Sequence, residues 1–119
     1  MTKRFAQLKR LQEVAELALN SELAKLADIK REEEGPRARL RQIEEARAER
    51  AAALSAADGF DMASLMGVDR AWDKWADQEK RQALRDLARV AERREAQLEL
   101  TRKAFGKKDA LSRLAERDH

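Results

Sequence analysis

The sequence predicts an all-α protein: an elongated antiparallel two-helix coiled-coil hairpin whose first helix is kinked near Gly35-Pro36. Three observations predict it. Alanine (23), leucine (15), glutamate (14) and Lys plus Arg (26) make up 78 of the 119 residues, a composition typical of long helices. Apolar and small residues recur at steps of three and four through two long stretches. Between those stretches lies one short segment rich in turn chemistry. Aromatics are only 4% of the chain, too few large apolar side chains to fill a compact globular core.

Helix one is expected over about residues 3–57. Its seam passes through Leu8, Leu11, Ala15, Ala18 or Leu19, Leu23, Leu26 and Ile29, then Leu40, Ile43, Ala46, Ala51 and Leu54. The apolar steps do not make a strict heptad, and the extra four-residue steps predict stutters that locally unwind a supercoil. One stretch interrupts the pattern, "REEEGPRAR" at residues 31–39. Pro36 has no N–H to donate, and its ring presses on the carbonyl of Glu32. Length favours a kink over a break. Unbroken helices of about 55 and 49 residues each reach roughly 75–80 Å, so their seams match end to end. A break leaves three helices of poorly matched length.

The bend is expected over 58–68. Asp58-Gly59 is a turn signal, Asp61 caps a short helical turn through Met66, and Gly67 ends it. Asp69 then caps helix two, expected over about 69–117. Its seam runs through Trp72, Trp75 or Ala76, Ala83, Leu87, Val90, Ala91, Leu98, Ala104 or Phe105, Leu111 and Leu114 or Ala115. Outside the seam, Asp77–Arg81, Glu99–Lys103 and Asp109–Arg113 are acid-before-base pairs four apart, each worth about 0.2–0.5 kcal/mol to a helix. Folding about the bend sets Leu40 opposite Asp86 and Leu87, and Leu8 near Arg117 and Asp118. The seam is thin and rich in Ala, so dimerisation or a partner is expected to add stability.

Charge and composition exclude several function classes. The net charge is +3, yet 26 cations stand among 23 anions, and neither half is a basic block. Interleaved charge argues against a nucleic-acid partner, which needs cations gathered on one face. There is no Cys, hence no disulfide and no thiolate metal site. The only His is His119, the last residue. The Glu32–Glu34 run has no Glu-x-x-His pair beside it and reads as a solvated face. A thin hairpin has no cleft that shields reacting groups from water, so no enzyme activity, metal or cofactor is expected. The basic, interrupted N-terminus reads as an amphipathic helix rather than a signal peptide, and no stretch approaches a membrane span.

Two features invite a partner. "RAWDKW", residues 70–75, places Trp72 and Trp75 on one side of a helix. They either close the seam around Phe60, Leu65 and Met66 or form a face that a partner reads, and one packed with the other presented satisfies both. "RKAFGKK", residues 102–108, gathers Arg102, Lys103, Lys107 and Lys108 around Phe105. It either docks on an acidic or phosphate-bearing surface or is a solvated face with Phe105 in the seam. Gly106 is costly in a helix interior and suggests close approach of a partner or a bend.

A basic N-terminal helix, a middle bend, the "RAWDKW" start of the second helix and the closing "AFGKKDALSRLAER" resemble the FliJ and YscO family, small coiled-coil proteins of flagellar and virulence type III protein export. The Lys-Lys-x-x-Leu run at Lys107, Lys108 and Leu111 belongs to that likeness. The resemblance implies a cytoplasmic stalk at the inner face of the bacterial membrane, with the end that holds both termini entering the export ATPase hexamer. It further implies contact with the export gate membrane protein and with export chaperones. The ring-facing end would then include Arg4, Leu8, Leu11, Leu111, Leu114 and Arg117, and the gate-facing surface Trp72 and Trp75. The alternative is a dimeric coiled-coil scaffold or adaptor with no ATPase partner.

Overall fold

A computed structural model describes residues 2–56 and 62–118, with the backbone alone for 62–67. The Asp58-Gly59 turn, the Asp61 cap, Phe60 and His119 lie outside the described residues, as do the side chains of Leu65 and Met66. The described chain is all-α. Helix α1 spans Lys3–Ala56 and α2 spans Met62–Arg117. Thr2 starts α1 as its N-cap: its Oγ1 accepts a hydrogen bond from the Phe5 amide at 3.2 Å, satisfying one of the first turn's orphan donors.

α1 runs unbroken through Pro36. Proline costs a backbone hydrogen bond there. The preceding residue is Gly35, which has no Cβ to meet the proline ring, so the clash that normally drives such a residue out of helical conformation is reduced. Pro36 itself is buried. α2 begins at Met62, earlier than the expected 69. Gly67 therefore does not end a helical turn, and Asp69 is not a cap. Asp69 sits inside the helix and pairs across to Arg50 at 3.0 Å.

The chain divides into two compact units, each an antiparallel pair made from both helices. Unit 1 joins residues 1–31 to 91–119. Its core is Leu19, Leu26, Ile29 and Ala115, with Gln97 and Thr101 buried among them. Gln12 Nε2 donates to Ser112 Oγ at 2.9 Å, and Arg4 pairs with Asp118 at 2.8 Å. Unit 2 joins residues 32–90. Its core is Ile43, Ala76, Ala83 and Val90, with Glu33 also buried. Arg39 meets Asp86 and Arg47 meets Asp77 across the pair. The Arg39–Asp86 contact is the register expected for Leu40, whereas Asp118, expected near Leu8, pairs with Arg4, one turn earlier on α1.

The seam corrects one expectation. The buried residues of α1, Leu19, Leu26, Ile29, Glu33, Pro36 and Ile43, fall on a single line, which the half-buried Phe5, Leu8, Gln12, Ala15, Glu22, Leu40, Arg47 and Arg50 extend. Its steps alternate three and four without a stutter, a strict heptad. α2 keeps the same alternation from Ala76 through Lys80, Ala83, Leu87, Val90, Arg94, Gln97, Thr101, Ala104, Lys108 and Leu111 to Ala115. On α1 the extra four-residue steps arise only when apolar residues alone are followed, because polar residues hold several seam positions; on α2 one remains, since Trp72, Ala76 and Lys80 are two steps of four. Several of those polar residues are compatible with the seam because they reach across it. Gln97 Nε2 donates to the Glu22 carbonyl oxygen at 3.1 Å and to the Glu22 carboxylate. Arg47 and Arg50 lay their stems along the seam and carry their charge to Asp77 and Asp69.

Leu11, Leu23 and Leu54, expected in the seam, are exposed instead, and in each of the pairs Trp75 or Ala76, Ala104 or Phe105 and Leu114 or Ala115 the alanine takes the seam and the larger residue is exposed. Among the described residues no large side chain is fully buried, while Ala76 and Ala83 are completely so. Small seam residues let the helix axes approach and leave larger neighbours at the edge, half in water.

Candidate functional site

The tryptophan pair is built on the first turns of α2 in unit 2. Trp72 lies on the seam side and is half-buried. The Arg50 guanidinium stacks over its ring, 4.6 Å from the centroid, and the same guanidinium holds Asp69. A cation over an indole face is worth about 0.5–1 kcal/mol where water still reaches it. Trp75 sits one residue before the seam position of Ala76 and is 51% exposed. The two rings stand 6.2 Å apart at 48°, a tilted contact. One indole is thus packed and fixed, and it steadies the other, which is presented. The Nε of Arg50 is buried without a hydrogen-bond partner, so its orientation rests on the ring stack and the Asp69 pair.

Beside these residues α2 carries an open groove of about 410 Å³ lined by Arg70, Asp73, Lys74, Asp77, Gln78 and Arg81. Cations and carboxylates alternate along it, so it has no single sign of field to gather a charged small molecule.

The residues expected at the ring-facing end all fall in unit 1 and divide by phase. Leu8 and Leu111 are half-buried on the seam, while Leu11 and Leu114 point out of it. Arg4 is tied to Asp118, and Arg117 is exposed in the last turn of α2. The structure therefore joins these positions into one helix end rather than scattering them.

The basic cluster does not hold together as one patch. Phe105 is 56% exposed, and Ala104 takes the seam position, so Phe105 is not a seam residue. Lys108 is half-buried on the seam. Lys103 and Lys107 project from one side of it, Arg102 and Phe105 from the other, and Arg102 approaches Glu99 at 3.7 Å. Space is open where a Cβ would stand at Gly106, so no neighbour within the chain requires a glycine there.

Three carboxyls are held below their ordinary range. The Gln97 amide lowers Glu22, with Lys25 adding to it against the opposing effect of desolvation. Arg39 and then Gln82 lower Asp86, and Arg41 lowers Glu34. Glu22 and Asp86 are cross-helix partners, which places their titration on the packing of the two helices.

Among the described residues no group of His, Cys, Asp and Glu is placed to hold a metal ion, and no helix is long and apolar enough to cross a membrane. Polar seam residues such as Gln97 and Thr101 were missed by apolar periodicity; the alternating three-and-four spacing, carried through regardless of residue type, finds them. The chain matches no known protein-family profile, no curated protein and no solved structure.

Proposed function

We propose that this chain works by docking on other proteins through surfaces held on a heptad hairpin, as the stalk of a flagellar or virulence-type protein export apparatus. The observation that carries the docking reading is Trp75: a large indole half out in solvent, braced by Trp72 under Arg50. A rigid aromatic of this kind is the side chain most enriched among residues that dominate binding energy. The stalk reading rests on the sequence resemblance, and the geometry of unit 1 is compatible with it. Chain ends clamped by Arg4–Asp118 and Gln12–Ser112 give a helix end suited to insertion in a ring. In this reading that end meets the export ATPase hexamer, and the Trp75 surface meets the export gate. A dimeric scaffold is the second reading, favoured by the thin seam and its exposed leucines.

Co-sedimentation with the assembled export ATPase tests the stalk reading. Wild-type protein is expected to travel with the ring, and Arg4→Glu/Arg117→Glu to lose the association while keeping its helicity. Failure of the wild-type protein to bind a well-assembled ring returns the chain to the scaffold class.

A further inference from the structure

The heptad defines a second surface on unit 1. Residues one position before each seam position are turned about 100° in the same sense around both helix axes. In an antiparallel pair, that common sense places them on the same face. On α1 this phase holds Leu11, Val14 and Ala18, and on α2 Leu100, Lys103, Lys107 and Leu114. The Gln12–Ser112 bond sets the level of Leu11 beside Leu114. Leu11, Val14, Leu100 and Leu114 are 52%, 63%, 50% and 37% exposed.

The charge on this face has one sign. No carboxylate occupies the phase from residue 4 to 25 of α1 or from 93 to 117 of α2. Residues one position after the seam, on the opposite face, include Glu13, Glu16, Glu95, Asp109 and Glu116. Lys103 and Lys107 are exposed, and no ion pair among the described residues engages them.

We propose that the valley between α1 and α2 on this face receives an acidic amphipathic helix from a partner protein, completing a three-helix bundle in unit 1. Leu11, Val14 and Ala18 recur at the three-and-four spacing that a third helix's apolar line needs, and Leu100 and Leu114 flank the two lysines on α2. Ala18, being small, lets that helix approach closely. Lys103 and Lys107 stand where carboxylates flanking its apolar line would meet them. A second copy bound through the same face would bring cations against cations. The proposal is independent of the stalk reading and is tested without any ATPase.

The probe is a labelled peptide of about 14 residues, short enough to be largely unfolded alone, with Leu and Ala on its core line and Glu on both flanks. A matched peptide carries Lys in place of Glu. Fluorescence anisotropy measures binding to the full chain, and circular dichroism measures the helix gained. The acidic peptide should bind saturably and gain helix, and the basic one should not. Lys103→Glu/Lys107→Glu should weaken binding at least about tenfold, while Arg102→Glu on the opposite face should leave it unchanged. Absent saturable binding, equal binding of both peptides, or equal loss in the two variants overturns the proposal. So does capture by phosphatidylglycerol vesicles with no preference between peptides, which would assign the face to lipid. Dimerisation at micromolar concentration that Val14→Glu abolishes would assign it to a second copy and likewise overturn it.

Discussion

Trp72 and Trp75 differ by three positions in sequence and by role in structure. Trp72→Ala removes the ring beneath Arg50 and leaves that guanidinium with Asp69 alone, so it should destabilise unit 2 by about 1–3 kcal/mol in urea unfolding. Trp75→Ala removes a ring already half in water and should change stability by less than about 1 kcal/mol. Acrylamide quenching of each single-tryptophan variant checks the assignment directly. The variant that retains Trp75 should be quenched more steeply than the one that retains Trp72. Equal quenching would mean that neither indole is the presented one. That two indoles share a side was visible from their spacing. Which one is packed was not, because the choice depends on Arg50, a cation from the other helix that no local pattern on α2 reveals. Ile43 is a simpler case: it is 7% exposed in a seam of small residues, and Ile43→Ala should cost about 2–4 kcal/mol.

Each helix was legible as an element, and its type followed from composition and period. Its seam was only partly legible. Leu19, Leu26, Ile29, Ile43, Ala83 and Val90 were marked by apolar spacing, whereas Gln12, Glu22, Glu33, Gln97 and Thr101 were hidden because hydropathy assigns such residues to the surface. Gln97 lies on the seam because its amide finds Glu22 there, and Thr101 because its hydroxyl donates to the Gln97 carbonyl oxygen in its own helix. α2 also begins before the place its apparent cap suggested. Asp69, with the side chain of a good cap, has its carboxylate engaged by Arg50. Gly106 gives a prediction at this scale. Since nothing lies within 4 Å of where its Cβ would be, Gly106→Ala should stabilise the isolated protein by up to about 1 kcal/mol through helix propensity. A loss of stability would show that the backbone at Gly106 needs glycine for a reason internal to the fold.

The carboxyls that join the helices give the pair its acid response. Glu22 and Asp86 have ordinary values of 4.5 and 3.8, and both are lowered in the folded protein, by Gln97 and by Arg39 respectively. A lowered carboxyl binds its proton more weakly when folded than when unfolded. Its contribution is therefore complete above the ordinary value and is lost as pH falls through the lowered one. Urea midpoints should be level from neutral pH to about pH 5 and fall below that. Asp86→Asn should flatten part of the fall, and a midpoint that rises on acidification would contradict the assignment.

At the scale of the whole molecule, the heptad of α1 runs through both antiparallel units, and the units present different surfaces. Unit 2 shows an indole braced by a cation. Unit 1 shows a clamped helix end and an apolar valley edged by Lys103 and Lys107. Fold class was legible here because a repeating pattern over two long stretches outweighs any local error. The docking surfaces were less so, since exposure is decided by which residues of one helix the other happens to cover. Leu11 looked like a seam residue and Leu114 an equal candidate with Ala115 until heptad phase turned both leucines outward. The most direct test of the proposed function is the rate of ATP hydrolysis by the export ATPase of the same organism, measured with and without this protein. We expect hydrolysis to rise as the protein is added and to saturate near ring stoichiometry. An unchanged rate, with an ATPase that is active and correctly assembled, would contradict the stalk reading.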